Sequence, residues 1–283
     1  MSSRRSLLVT LAAALSCRGD AARLTLRYHP PVGASYHYRL EQHNDMKFED
    51  GPMGKLPEQQ MTLHIYFSQA VTGPTEGGVG VTVRFDSITV DSPLMAARAA
   101  RPAFDRLRGL TNAMVYDDRR NVVRTEFTNT GGVPSPLAEE FARNVKGLAV
   151  PLPEQPVGVG DSWTTEVDLP MTQVMSASAP LKTKTRVTVK EIHAAGADTT
   201  VLLGLETTYP TDPITIQSDE GPQSVKLGGN LSGEQVFSVT KGAVVRASAS
   251  GTIHIALKGG VTGGGGMSMS IHQAMSLLLS DAP

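Results

Sequence analysis

One short phrase stands twice in this chain. Val32 to Leu40 reads VGASYHYRL, and Val159 to Val167 reads VGDSWTTEV. Both are Val-Gly-x-Ser, then a large aromatic residue, then alternating positions, and their glycines lie 127 residues apart. A second pair, NVVR ending at Arg124 and AVVR ending at Arg246, follows in the same order 122 residues apart. Each match alone is a cheap coincidence in a Gly- and Val-rich chain. Two matches in one order, with a long hairpin pattern after each opener, point to two copies of one β unit.

The unit is β because its apolar residues recur with a period of two. Tyr36, Tyr38 and Leu40 alternate with Ser35, His37 and Arg39, as in a half-buried strand. Leu63, Ile65 and Phe67 do the same, and after the turn TGPTEGG so do Val79, Val81, Val83 and Phe85. Beyond Phe85 the apolar positions move to Ile88 and Val90, a change of parity that predicts a β-bulge near Asp86–Ser87. With 28 glycines and 18 prolines the chain is rich in turn formers. The expected fold class is β-rich, from all-β to α+β, with two repeated antiparallel curved-sheet units and one or two short helices between them.

The helices are read at Ser92-Pro93, an N-cap with proline at the first helical position, and again at Ser135-Pro136, ending near Gly147. Residues 1–17 read as a signal peptide with a lipobox, 18–31 as a tether and first strand (Leu24 to Tyr28), and 32–150 as the first β repeat with its helices. The Pro-spaced residues 151–158 read as a linker and 159–283 as the second repeat. Residues 210–222 read as a polar loop. A last strand pair, GTIHIALKGG and MSMSIHQAMSLLL, is joined by Gly259–Gly266.

The first seventeen residues are an address. Arg4 and Arg5 precede an apolar run from Leu7 to Leu15, too short to span a bilayer, and the single cysteine follows at Cys17. Ala14-Leu15-Ser16-Cys17 resembles a bacterial lipobox, which implies lipidation of Cys17 and anchoring by lipid. The pattern also resembles a twin-arginine export signal. With one cysteine there is no intramolecular disulfide. Removing residues 1–16 changes the formal charge from −1 to −3, because two arginines and no acid are lost. No basic run is left to neutralise phosphates, which sets nucleic acid aside as a partner.

The order of lipobox, VGASYHYRL, hairpin, helix, hairpin and PEQPVGVGDSW resembles an uncharacterised family of bacterial envelope lipoproteins, with the PEQPVGVGDSW segment as its most characteristic stretch. At the level of fold it is similar to the half-barrels of lipoprotein carriers. The resemblance implies an antiparallel sheet curved around helices and a place in the cell envelope, lipid-anchored on the periplasmic face of the outer membrane or on the cell surface. It brings no catalytic residues with it.

Catalytic and metal motifs are missing from the sequence. The seven histidines show neither HExxH nor HxH spacing, and no Gly-x-Ser-x-Gly elbow, P-loop or dinucleotide fingerprint occurs. The sharpest metal-like run is Met267, Met269, His272 and Met275, whose soft ligands suit Cu(I). The same methionines alternate as one strand face, so core packing is the competing reading. No cofactor and no metal are therefore expected. The aromatic residues Tyr36, Tyr38, Phe67, Phe85, Trp163 and Phe237 are candidates for lining an apolar ligand pocket or anchoring the core.

The function expected from address and architecture is a non-enzymatic, membrane-tethered envelope lipoprotein that binds or carries a lipid or other hydrophobic ligand. The alternative is a scaffold component that binds envelope proteins through exposed sheet edges. An enzyme of unrecognised type is the third class.

Overall fold

The alternating segments pair into strands, most of them longer than the pattern predicts. In a computed structural model, which describes residues 23–50, 57–93, 102, 104–129, 150–169, 181–210, 212–218, 221–259 and 266–280, the chain is almost wholly antiparallel sheet. The first unit holds β1 (Ser35–Asp50), β2 (Gln59–Thr75), β3 (Gly78–Asp91), β4 (Thr111–Tyr116) and β5 (Val122–Asn129). The second holds β6 (Ser162–Leu169), β7 (Leu181–Ala195), β8 (Asp198–Thr208), β9 (Ile214–Ser218), β10 (Gly221–Ser238) and β11 (Ala243–Gly259). A last strand, β12 (Met267–Ser280), lies between the units. The order is β5-β4-β3-β2-β1-β12-β11-β10-β8-β7-β6, with β9 also paired to β10. β1 and β6 therefore open two meanders that run in the same sense around one sheet, and β12 joins them.

The repeated phrases turn out to encode backbone devices. Gly33 and Gly160 both adopt left-handed conformations, with φ of 79° and 91°. The Gly33 N–H donates to Val71 C=O, and the Val71 N–H donates to Ala34 C=O. Gly160, Val189 and Asp161 make the same pair of bonds in the second unit. Immediately after Val71 and Val189 the register slips by one residue, leaving Thr72 and Lys190 as bulges. The Val-Val-Arg phrases carry another shared bulge, at Val123 opposite the Val115–Tyr116 step and at Val245 opposite Val236–Phe237. The parity change in β3 is a bulge at Asp86, as its sequence pattern predicts.

These bulges and the strand twist curl the sheet. In a flat sheet β5 and β6, at opposite ends of the path, would lie about 48 Å apart. Instead, neighbouring residues hold both edges at one end. The Leu152 N–H donates to Arg119 C=O at the β4–β5 tip, while Trp163 Nε1, on β6, donates to Pro151 C=O. Residues 24–28 lie alongside. Leu24 and Val157 exchange both backbone hydrogen bonds, and the Tyr28 N–H donates to Asp118 C=O. Leu26, Tyr28, Leu152 and Val157 are buried in one core with Val81 and Met114 of the first unit and Val187, Leu203 and Phe237 of the second.

Some expectations are revised by the structure, and others lie outside the described residues. Residues 24–28 form one isolated bridge rather than a strand, and the Pro-spaced 151–158 segment buries Leu152 and Val157 in the core while Glu154, Gln155 and Pro156 are exposed. The polar loop at 210–222 contains β9, which pairs with the start of β10. Of the first helix, residues 102 and 104–106 are helical, and the turn closes at Gly109 with φ of 81°. The second helix and Cys17 lie outside the described residues.

Candidate functional site

Inward-facing positions follow from the registers. At the end held by residues 151 and 152, a row of aromatic rings crosses the first unit: Tyr38 pairs with Phe67, and Phe67 with Phe85. The Tyr38 and Phe67 rings stack at 5.1 Å, and Phe67 and Phe85 are tilted at 6.0 Å. Phe237 is completely buried in the same cluster. Tyr36 and Trp163, equivalent in the repeats, are half-buried against it, and each caps a distant carbonyl. Tyr36 Oη donates to Lys241 C=O at 2.6 Å and Trp163 Nε1 to Pro151 C=O at 3.0 Å. All six aromatic candidates thus border one cluster, four of them as well-packed interior side chains.

A second apolar cluster occupies the other end of the strands, built on Tyr209, Val225, Leu227, Ile255 and Met269. Burial there pushes the Tyr209 hydroxyl up to about 12. Between the clusters runs a row that is polar or small except at Leu231 and that few sequence signals announce: Asn44, Gln273, Gly251, Leu231, Thr207, Thr185 and Thr165 are successive cross-strand partners. Asn44 and Thr185 are buried, and the Thr185 and Thr207 hydroxyls share a hydrogen bond at 2.8 Å. In the row beside Leu40, Gln235 is buried, with Nε2 unpartnered among the described residues.

Along the central strands, on either side of this row, apolar residues of the inner face are incompletely covered. Met46 and Phe48 on β1, Ile253 on β11, and Ile271, Met275 and Leu277 on β12 are each half-buried. Met267 and Met269 share this face, whereas His272 points to the opposite face, where it is exposed and 3.4 Å from Thr252 Oγ1. The soft-ligand set read as a copper alternative is therefore split across the sheet. The outer face carries His43, His64 and His254 among hydroxyls and acids, with His64 Nδ1 3.5 Å from Glu41 and its Nε2 3.7 Å from Asp91. Among the described residues no three His, Cys, Asp or Glu side chains are grouped to hold a metal, and no helix is long and apolar enough to cross a membrane.

No family model matches the chain, and no curated protein matches it. Among solved structures it is similar to lipovitellin, in a structure concerned with lipid–protein interactions. The TM-score is 0.49 at 12% identity, and the match covers 90% of this chain and 26% of that one.

Proposed function

We propose that this chain is a non-enzymatic envelope lipoprotein, tethered through Cys17, that holds a hydrophobic ligand against the inner face of its curled sheet. The observation that carries the reading is the set of half-buried apolar side chains on either side of the polar row, Met46, Phe48, Ile253 and Ile271 on one side and Met275 and Leu277 on the other. A sheet of this size buries apolar side chains fully where protein packs on them, as it does at Val187 and Phe237. Leaving the two apolar patches part-covered forgoes about 25 cal/mol for each Å² still in contact with water, which a bound acyl chain would recover. Scaffolding is the second reading, favoured by β5. Among the described residues β5 pairs only with β4, and Val123 on it is 56% exposed.

The test is native mass spectrometry of the full chain carrying Cys17→Ser, purified without detergent. A discrete added mass that dissociates as a lipid, and that is missing from a folded Ile271→Arg variant, is the expected result. A bare monomer would overturn the carrier reading, and a clean dimer would favour assembly through the sheet edges.

A further inference from the structure

Arg120 is the one non-glycine residue with positive φ among the described residues, at 63°. An L side chain in that region costs about 1–2 kcal/mol, so such outliers persist where something else requires them. The repeat shows what the turn itself needs. Counted from the Val-Val-Arg phrase, the equivalent position is Gly242, with φ of 59°. The backbone does the same work at both, since the Arg120 N–H donates to Asp117 C=O and the Gly242 N–H to Val239 C=O. The first unit has therefore placed an arginine side chain where the turn calls for glycine.

Among the described residues no carboxylate pairs with that side chain, and Arg120 Nη1 is buried without a hydrogen-bond partner. The nearby carboxylates are engaged: Asp117 accepts from the Arg119 and Asn121 N–H groups and from Asn121 Nδ2, and Asp118 pairs with Arg27. Three phenols lie within reach of the Arg120 charge. Tyr116 leads into the turn, Tyr28 is fastened to it through Asp118, and their rings lie 5.1 Å apart. Tyr38 completes the set. Burial raises the pKa of all three hydroxyls, and the Arg120 charge opposes the rise in each. The one hydrogen bond of Tyr116 Oη among the described residues goes to Met114 Sδ, a weak acceptor.

We propose that Arg120, with the hydroxyls of Tyr28, Tyr38 and Tyr116, forms a site for an oxyanion, the carboxylate or phosphate head of the hydrophobic ligand. A guanidinium and phenols can all donate, and an anion would supply the acceptor that Arg120 Nη1 lacks among the described residues. Gly242 offers no counterpart in the second unit, where an added Cβ would strike the backbone of Pro30. One chain thus takes one head group. The acyl part of this assignment rests on the carrier reading, whereas the oxyanion part stands apart from it.

The experiment is calorimetric titration of the full chain and of Arg120→Gly with dodecanoate, methyl dodecanoate and inorganic phosphate. Wild type should bind dodecanoate roughly tenfold or more tightly than the ester, the expected gain from a charged hydrogen bond. Arg120→Gly should lose that preference while melting at the same temperature or higher, because the strained φ is relieved. Phosphate binding without dodecanoate binding would keep the oxyanion site and refute the carrier reading. Equal affinity for acid and ester would do the reverse. No binding of either anion, an undiminished acid preference in Arg120→Gly, or a marked loss of stability in that variant would each overturn the site.

Discussion

Where the first unit sets Tyr38, Phe67 and Phe85 across its three leading strands, the second sets Thr165, Thr185 and Thr207. The correspondence is fixed by the shared contacts of Gly33 with Val71 and Gly160 with Val189, counted along each register. One backbone plan is therefore filled in two ways. In the first unit the row is aromatic stacking, and in the second it is a line of hydroxyls, two of which bond to each other. The turns and bulges are shared, while the side chains that fill the inner face are free to differ. Arg120 and Gly242 belong to the same contrast, with the first unit equipped for chemistry at a position the second leaves plain.

The sharpest way to break this comparison is to empty both rows. Phe67→Ala removes a ring buried between two others and should cost about 3–5 kcal/mol in urea denaturation. Thr185→Ala removes a hydroxyl and its bond to Thr207, and should cost about 0.5–1.5 kcal/mol. Equal losses would mean that the two rows do the same structural work and that the contrast is only one of composition.

The shared devices can be tested at Gly33 and Gly160. A Cβ at either would meet nothing within 4 Å, so replacement by alanine carries only the backbone penalty of positive φ, about 1–2 kcal/mol. The two variants should lose the same amount. A loss confined to one would show that the matching conformations no longer serve matching roles.

Much of this architecture is legible in the order of the residues, and the illegible parts have identifiable causes. The bulge at Asp86 follows from parity, and the paired openers follow from Val-Gly-x-Ser. The extent of β1 does not, because Gln42 and Asn44 face inward and interrupt the alternation beyond Leu40. Glycines at 228 and 229 hide the continuity of β10 in the same way, and β9 with it. Prolines make residues 151–158 resemble a linker, yet Leu152 is fully buried: the prolines fall where no ladder asks for an N–H, while the N–H groups of Leu152 and Val157 donate to Arg119 and Leu24. Arg120 is readable in principle, since aligning the Val-Val-Arg phrases sets it opposite Gly242. Its inward course depends on the tertiary fold, which alone brings Tyr28 and Tyr38 to that turn.

The smallest expected effect separates the openers themselves. The residue after the glycine is Ala34 in the first unit and Asp161 in the second. The Asp161 carboxylate accepts from the Gly158 N–H and pairs with Arg23, tying residues 23–28 to the start of β6. The Gly158 bond first, and then Arg23, hold its carboxyl below the ordinary carboxylate range, against an opposing desolvation effect. A folded-state value lower than the unfolded one, near 3.9, adds stability that is present above that pH and lost as pH falls through the folded value. Asp161→Asn should therefore melt below wild type at pH 6, with the gap closing as the pH is taken below about 4. Both partners are substantially exposed, so the gap should also shrink in high salt. A gap that holds constant from pH 6 to pH 3 would show that Asp161 serves this opener by shape alone, as Ala34 does, and the electrostatic difference between the units would vanish.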